Sequence, residues 1–248
     1  MELIGPMLDV TTSDERPVLA VTGLAREARI AAGPGVITIC SGGDPKRLRS
    51  LLDAVDGRAL RAVISFGLAG GLDPALRPGD LVVATEVAAT GRRWKSTPGL
   101  VESLAASLEK YPDAPTLGRL AGVEAVVLDA VTKAELRDAT GAAAVDMESH
   151  VTAEFAARHQ LPIVALRAIC DPASRALPPL AQHTLKPNGK VDLAAVFGGL
   201  AGDPVQMIAL MRAARDSAAA FGSLRRGRRL LGAGFGFLDR RELAFDMA

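Results

Sequence analysis

Aromatic side chains are scarce in this chain: one tryptophan, one tyrosine and seven phenylalanines among 248 residues, or 4%. Proteins that hold single-stranded nucleic acid stack bases on such rings, so that class is disfavoured. Excess charge is missing too. Basic and acidic side chains number 29 and 28, and a net charge of +1 draws in no polyanion. Cysteine is limited to Cys40 and Cys170, whose separation fits no metal spacing; they read as reduced, buried thiols. Three histidines with no HExxH and no CxxC argue against a metal site. No apolar run reaches the ~18–20 residues that a membrane span needs. Residues 1–17 lack the basic-then-apolar layout of a secretory signal. These absences suit a cytoplasmic protein.

What is present is apolar bulk: 49% of residues are hydrophobic, enough to bury one large core. Buried strands are expected at 17–23, 35–40, 61–66, 81–85, 123–128, 142–145 and 161–169. Helices are expected at 24–32, 101–110, 133–140 and 147–159. Two more follow Asp44-Pro45 and Asp203-Pro204, where an aspartate N-cap precedes proline at the first helical position. Residues 86–100, which hold Trp94, read as an irregular loop. Strands alternating with helices predict an α/β fold, a three-layer α/β/α sandwich around a mixed central sheet. The expected organisation is a flexible leader at 1–16, a single domain at 17–230 with a C-terminal cap and helix at 175–230, and a tail at 231–248.

Two carboxylates frame the chemistry. Glu148 lies in Val145-Asp146-Met147-Glu148-Ser149-His150, and Asp171 follows 23 residues later in Ala168-Ile169-Cys170-Asp171. A helix after the first and a strand before the second can return the chain to one place. In open α/β sheets ligands bind beyond the carboxyl ends of the strands. Gly23 to Glu27, Ser41 to Asp44 and the glycine-rich loop of Gly67, Gly70 and Gly71 all fall at such ends. Glycines there admit backbone N–H groups to a ligand, or serve only the turn.

Gly67-Leu68-Ala69-Gly70-Gly71-Leu72 with Arg77-Pro78-Gly79-Asp80 resembles the glycine-rich signature of the nucleoside phosphorylase and nucleosidase superfamily. Val145-Asp146-Met147-Glu148 resembles its ribose-binding segment. Arg167-Ala168-Ile169-Cys170-Asp171 resembles its base-protonating segment. Gly23-Leu24-Ala25-Arg26-Glu27-Ala28 is similar to the first loop of the methylthioadenosine/S-adenosylhomocysteine nucleosidases. Together these cover roughly residues 17–172. Ser41-Gly42-Gly43-Asp44-Pro45, Ala144 to Ser149, Asp171 to Pro179 and Ala213 to Leu224 resemble the hopanoid-associated phosphorylases. That likeness implies cleavage of adenosylhopane with release of adenine, in hopanoid biosynthesis.

The resemblance implies roles. Cleaving an N-glycosidic bond puts positive charge on ribose and negative charge on the base, as in glycoside hydrolysis. Asp171 is implied to protonate the purine at N7; a helix-cap aspartate before Pro172 is the alternative. Glu148 is implied to accept from the ribose hydroxyls, with Met147 packing beside it; the alternative is a charge at a helix N-terminus. Glu27 is implied to activate water; the alternative is a solvated helix glutamate. Phe66, Val131 and Thr132 are candidate base contacts, though core packing is the commoner role for such residues. Ser41, Gly42, Gly43 and Arg47 are a candidate anion site at a helix N-terminus, with Arg26 assisting.

The nucleophile stays open between water and phosphate. Glu27 repels an anion, and Ser65 and Leu68 stand where an arginine and a serine are expected of a phosphorylase. No cofactor is implied beyond phosphate as a co-substrate. Leu177, Pro178, Pro179, Leu180, Phe197, Met207, Ile208 and Met211 suit an apolar mouth for a nucleoside with an apolar 5′ substituent, or else packing against the core or a dimer mate. The basic run 225–229 suits peripheral contact with anionic lipid, at roughly 1 kcal/mol per residue, or a solvated helix end. The resemblance also implies a homo-oligomer. A non-catalytic nucleoside-binding protein is the alternative from another class.

Overall fold

The computed structural model describes residues 14–109, 114–176 and 204–237, with side chains of the last segment from Met211 onward. The strands are β1 (Val18–Thr22), β2 (Val36–Cys40), β3 (Ala62–Gly71), β4 (Leu81–Ala89), β5 (Arg92–Lys95), β6 (Thr116–Gly122), β7 (Ala144–Asp146) and β8 (Ile163–Asp171). The helices are α1 (Ala25–Ala31), α2 (Pro45–Asp53), α3 (Pro98–Leu108), α4 (Ala130–Thr140), α5 (Ser149–Arg158) and α6 (Pro204–Leu230).

Alternation along the central strands assigns the two faces of the sheet. Val18 and Ala20 of β1, Ala62, Ile64 and Phe66 of β3, and Val164, Leu166 and Ala168 of β8 pack with Leu100 and Leu104 of α3 and Phe221 and Leu224 of α6. Leu19 and Val21 of β1 and Val63 of β3 turn the other way, onto Leu48 and Leu52 of α2 and Val151 and Phe155 of α5. The sheet is mixed and carries helices on both faces, as expected. Packing continues to Phe235 and Phe237, past the boundary expected at residue 230. Each large apolar side chain buried in this way contributes about 1.5–3 kcal/mol.

Strand β3 is the axis. Its first half runs parallel to β1, and most of its length runs parallel to β8. At its far end Gly70 and Gly71 pair antiparallel with Val145 and Ala144 of β7. From β8 the ladder passes antiparallel to β4, then parallel to β6 and parallel to β7, so β3, β8, β4, β6 and β7 close into a ring. Parallel β1, β2, β3 and β8 point their carboxyl ends the same way.

Three expectations need correction. The glycine-rich stretch is not a loop; Gly67, Gly70 and Gly71 lie inside β3. Residues 86–100 contain a hairpin, in which Thr90 (φ 37°) and Gly91 (φ 75°) form the turn and β5 pairs with β4. Positive φ at both turn residues matches the right-handed twist of the flanking strands. Residues 123–128 are not a strand; β6 lies before them and they form a wall of the cavity described next.

Candidate active site

A cavity of about 210 Å³ opens at the carboxyl ends of the parallel strands. Glu27, Asp146, Glu148 and Asp171 line it with Gly23, Gly43, Met147 and Cys170. Leu24, Leu68, Val123, Val126 and Val127 supply most of the remaining wall.

Glu27 enters from the first turn of α1. Its carboxylate accepts from the backbone N–H of Gly23 (2.8 Å), Leu24 (2.7 Å) and Leu68 (2.8 Å). The bond to Leu24 caps the helix; the bond to Leu68 reaches across to β3. At 3% exposure it is not a solvated helix residue. Burial pushes its carboxyl above the usual range, against the Arg167 guanidinium and the three N–H donors, which pull it down. It has room because residue 67 is glycine. A methyl group there would sit 2.6 Å from Arg167 Nη1 and 2.8 Å from the Glu27 carboxyl.

Glu148 lies at the junction of β7 and α5, and it does not cap the helix. Asp146 does so, accepting from the N–H of Glu148 (2.9 Å) and Ser149 (2.7 Å). The Glu148 side chain is thereby left to the cavity, where the Ser41 hydroxyl donates to it at 3.2 Å. It passes so close to β1 that a side chain on Gly23 would lie 2.6 Å from its Oε1. Burial raises its carboxyl to about 7; Arg167 opposes the rise, while Asp146 and Glu27 add to it.

One guanidinium holds these acids in place. Arg167 is fully buried in β8. Its Nε lies 2.9 Å from Asp146 Oδ2 and its Nη2 lies 3.8 Å from Glu148 Oε2. Nη2 also donates to the hydroxyls of Ser65 (2.6 Å) and Ser149 (3.1 Å). Three acids, Glu27, Asp146 and Glu148, thus surround a single cation. A charged side chain in the middle of an apolar strand is the sequence signal for Arg167.

Asp171 ends β8. The register with β3 slips between Ala69 and Gly70, leaving Cys170 as the extra residue. Such bulges re-aim side chains, and both Cys170 and Asp171 line the cavity. The Cys170 thiol lies 3.0 Å from Asp171 Oδ1. The other carboxylate oxygen accepts from Lys133 of α4, which is fully buried. Lysine on a helix flank reads as solvated, and nothing in the sequence marked this one.

Other candidates lie elsewhere. Phe66 is fully buried between β3 and the C-terminal aromatics, with its ring 5.5 Å from that of Phe235. It shares strand parity with Ile64, so it belongs to the core and not to the base pocket. Val131 is 68% exposed, and Thr132 donates its N–H to Asp129 at 2.8 Å as part of the α4 cap; neither borders the cavity. Of the expected anion site, Gly43 alone borders it. The first N–H groups of α2, on Lys46 and Arg47, are occupied by the Asp44 carboxylate, and Ser41 is committed to Glu148 and to the N–H of Gly43. Gly42 turns the chain with φ 77°. Arg26 is exposed and stacks over Phe221 at 4.1 Å. Met211 is 68% exposed. Leu177, Pro178, Pro179, Leu180 and Phe197, and the side chains of Met207 and Ile208, lie outside the described residues. Within the basic run Arg225, Arg226 and Arg229 are exposed, whereas Arg228 packs over Phe235 and donates to the carbonyl of Ala31. Among the described residues no group of three or more His, Cys, Asp or Glu is placed to hold a metal, and no helix is long and apolar enough to cross a membrane.

Comparison with known proteins fits this architecture. The 5′-methylthioadenosine/S-adenosyl homocysteine nucleosidase of Helicobacter pylori is 14% identical, with a TM-score of 0.64 over 94% of this chain and 99% of that one. Futalosine hydrolase of Helicobacter pylori strain 26695 is 15% identical, with a TM-score of 0.65 over 90% and 99% of the two chains. The S. pneumoniae nucleosidase, solved with the transition-state inhibitor MT-ImmA, is 16% identical, with a TM-score of 0.57 over 84% and 98%. No curated protein matches the chain by sequence. At such identities the solved structures speak for the fold. The family assignment rests on the sequence model of the phosphorylase superfamily, which matches residues 30–191, more than half of the chain. That stretch holds β3 with its glycines, Glu148 and Asp171, and the chain belongs to the phosphorylase superfamily.

Proposed function

We propose that the protein cleaves the N-glycosidic bond of a purine nucleoside with an apolar 5′ substituent, releasing adenine, and that water is the attacking group. The observation that carries this reading is the convergence of Glu27, Glu148 and Asp171 on one cavity whose remaining wall, Asp146 aside, is mostly apolar. As the bond between C1′ and N9 breaks, its electron pair goes to the base, and Asp171 delivers a proton at N7. Glu148 accepts from the ribose hydroxyls, bonds that strengthen as the sugar becomes cationic. Water adds its oxygen to C1′, and its proton passes to Glu27. Adenine and a free sugar result.

Water suits the site better than phosphate. An anion at this position meets Glu27 and Glu148, and the N–H groups at the start of α2 already serve Asp44. Losing charged donors weakens anion binding.

For the substrate, the resemblance to hopanoid-associated phosphorylases favours adenosylhopane. Leu24, Leu68, Val123, Val126 and Val127 offer its apolar 5′ group a compatible surface. A methylthioadenosine/S-adenosylhomocysteine nucleosidase is the second reading. Solved relatives of that name hold 5′-methylthioadenosine and butyl-thio-DADMe-Immucillin-A. Incubation with adenosylhopane and with methylthioadenosine, with and without phosphate, separates the readings. Adenine release from adenosylhopane without phosphate is the expected result. Release from methylthioadenosine alone sinks the hopanoid reading, and a ribose 1-phosphate product sinks the hydrolytic one.

A further inference from the structure

The scheme above gives no part to the buried cation paired with Asp171. Lys133 is fully buried on α4. Burying an ammonium is costly unless every donor finds a partner. Lys133 meets three: the Asp171 carboxylate and the carbonyl oxygens of Pro172 and Arg175, the last two at 3.0 Å each. A residue that only stitched α4 to the turn after β8 would need the two carbonyls and no carboxylate. This one spends a bond on the acid that lines the cavity. Asp171 in turn has its other oxygen 3.0 Å from the Cys170 thiol. Of its two neighbours, Lys133 is a nitrogen donor and the thiol a weaker one.

We propose that Lys133 is the positioning residue through which Asp171 supplies its proton to the leaving base. The inference rests on the reading that Asp171 serves the base. As the glycosidic bond breaks, Asp171 gives a proton to N7 and takes one from Lys133, which becomes neutral. Glu27 sheds to solvent the proton it took from water, and Lys133 regains one from solvent once the base departs. One water is consumed, and one adenine and one sugar hydroxyl are formed. Among the described residues, the ionisable groups around the pair are few. The Cys170 thiol of β8 is pushed up, first by burial and then by Asp171. Glu27 of α1 acts on the same thiol. Arg175, whose carbonyl Lys133 holds, pairs through its guanidinium with Asp216 of α6, and Asp129 caps α4.

The test is adenine release from adenosylhopane and from methylthioadenosine by wild type, Lys133→Met, Asp171→Asn and the double variant, across neutral and alkaline pH. Lys133→Met is expected to lower kcat about 10²–10⁴-fold, the range of general acid–base catalysis, with KM within about threefold. The double variant is expected to be no slower than Asp171→Asn, because lysine acts only through the carboxylate. Methylamine added to Lys133→Ala is expected to restore turnover, in proportion to the protonated amine. Losses that multiply in the double variant overturn the proposal, as does an unchanged kcat and pH profile in Lys133→Met. Should Lys133→Met fail to fold by circular dichroism, Lys133→Arg decides. Arginine keeps the charge and gives up no proton, so a fast Lys133→Arg refutes the inference. A wild type that releases adenine from neither nucleoside removes the proposed function, and this inference with it.

Discussion

Replacing Glu148 with glutamine tests whether the cavity stores electrostatic strain. The folded protein holds this carboxyl at about 7, against an ordinary 4.5. Below the ordinary value the group is protonated in both folded and unfolded chains and costs nothing. Between the two values only the folded chain keeps the proton, so wild-type stability falls as pH rises. Above about 7 the loss is complete. At about 1.4 kcal/mol per pH unit it amounts to about 3 kcal/mol. Glutamine fills the same space, can still accept from Ser41, and has no charge to bury. Urea unfolding of Glu148→Gln and wild type should therefore give similar midpoints near about pH 4, with the variant ahead by about 3 kcal/mol near about pH 8. Turnover should be lost at both. A stability difference that does not change with pH, or a wild type that gains on the variant as pH rises, would refute the assignment of a strained, desolvated carboxylate. The expected pattern is a gain in stability at the expense of activity.

Other substitutions probe the surrounding frame. Gly67→Ala forces a methyl group against Arg167 and Glu27, and should cost about 1–3 kcal/mol in denaturant unfolding as well as most of the activity. Arg167→Met leaves Asp146 buried without its cation, and should cost about 3–5 kcal/mol by the same assay; wild-type stability would show the pair to be dispensable. Phe66→Ala should cost about 3–5 kcal/mol as a core truncation. At a temperature where the variant stays folded, its KM for the nucleoside should match wild type, whereas a raised KM would return Phe66 to the base pocket.

Much of the frame can be read from residue order. Val18 to Val21 and Val164 to Ala168 announce buried strands, and Asp44-Pro45 announces a helix start, because these signals are local. The carboxylates Glu27, Glu148 and Asp171 stand in motifs that mark them, and the fold brings them to one cavity. Phe66 belongs to the core, as its parity with Ala62 and Ile64 implies. The wall at 123–128 looked like a strand because valines line a pocket as readily as they fill a sheet. Lys133 was illegible for a different reason. Its partner lies 38 residues away across the β8 turn, and no helix pattern distinguishes a lysine facing an aspartate from one facing water.

The ring of strands has a bearing on when the protein can act at all. Closing it joins β3 to β8, about a hundred residues apart in the chain, and α1 delivers Glu27 from still further upstream. Pairings between such distant segments form late and slowly. A chain emerging from the ribosome holds Glu27 and the β3 glycines long before Asp171 exists to face them. Until β8 is made and inserted, the chain lacks both Asp171 and the Arg167 guanidinium around which the other acids gather. Competence for chemistry is thus tied to completion of the sheet, and a half-built chain is silent towards nucleosides.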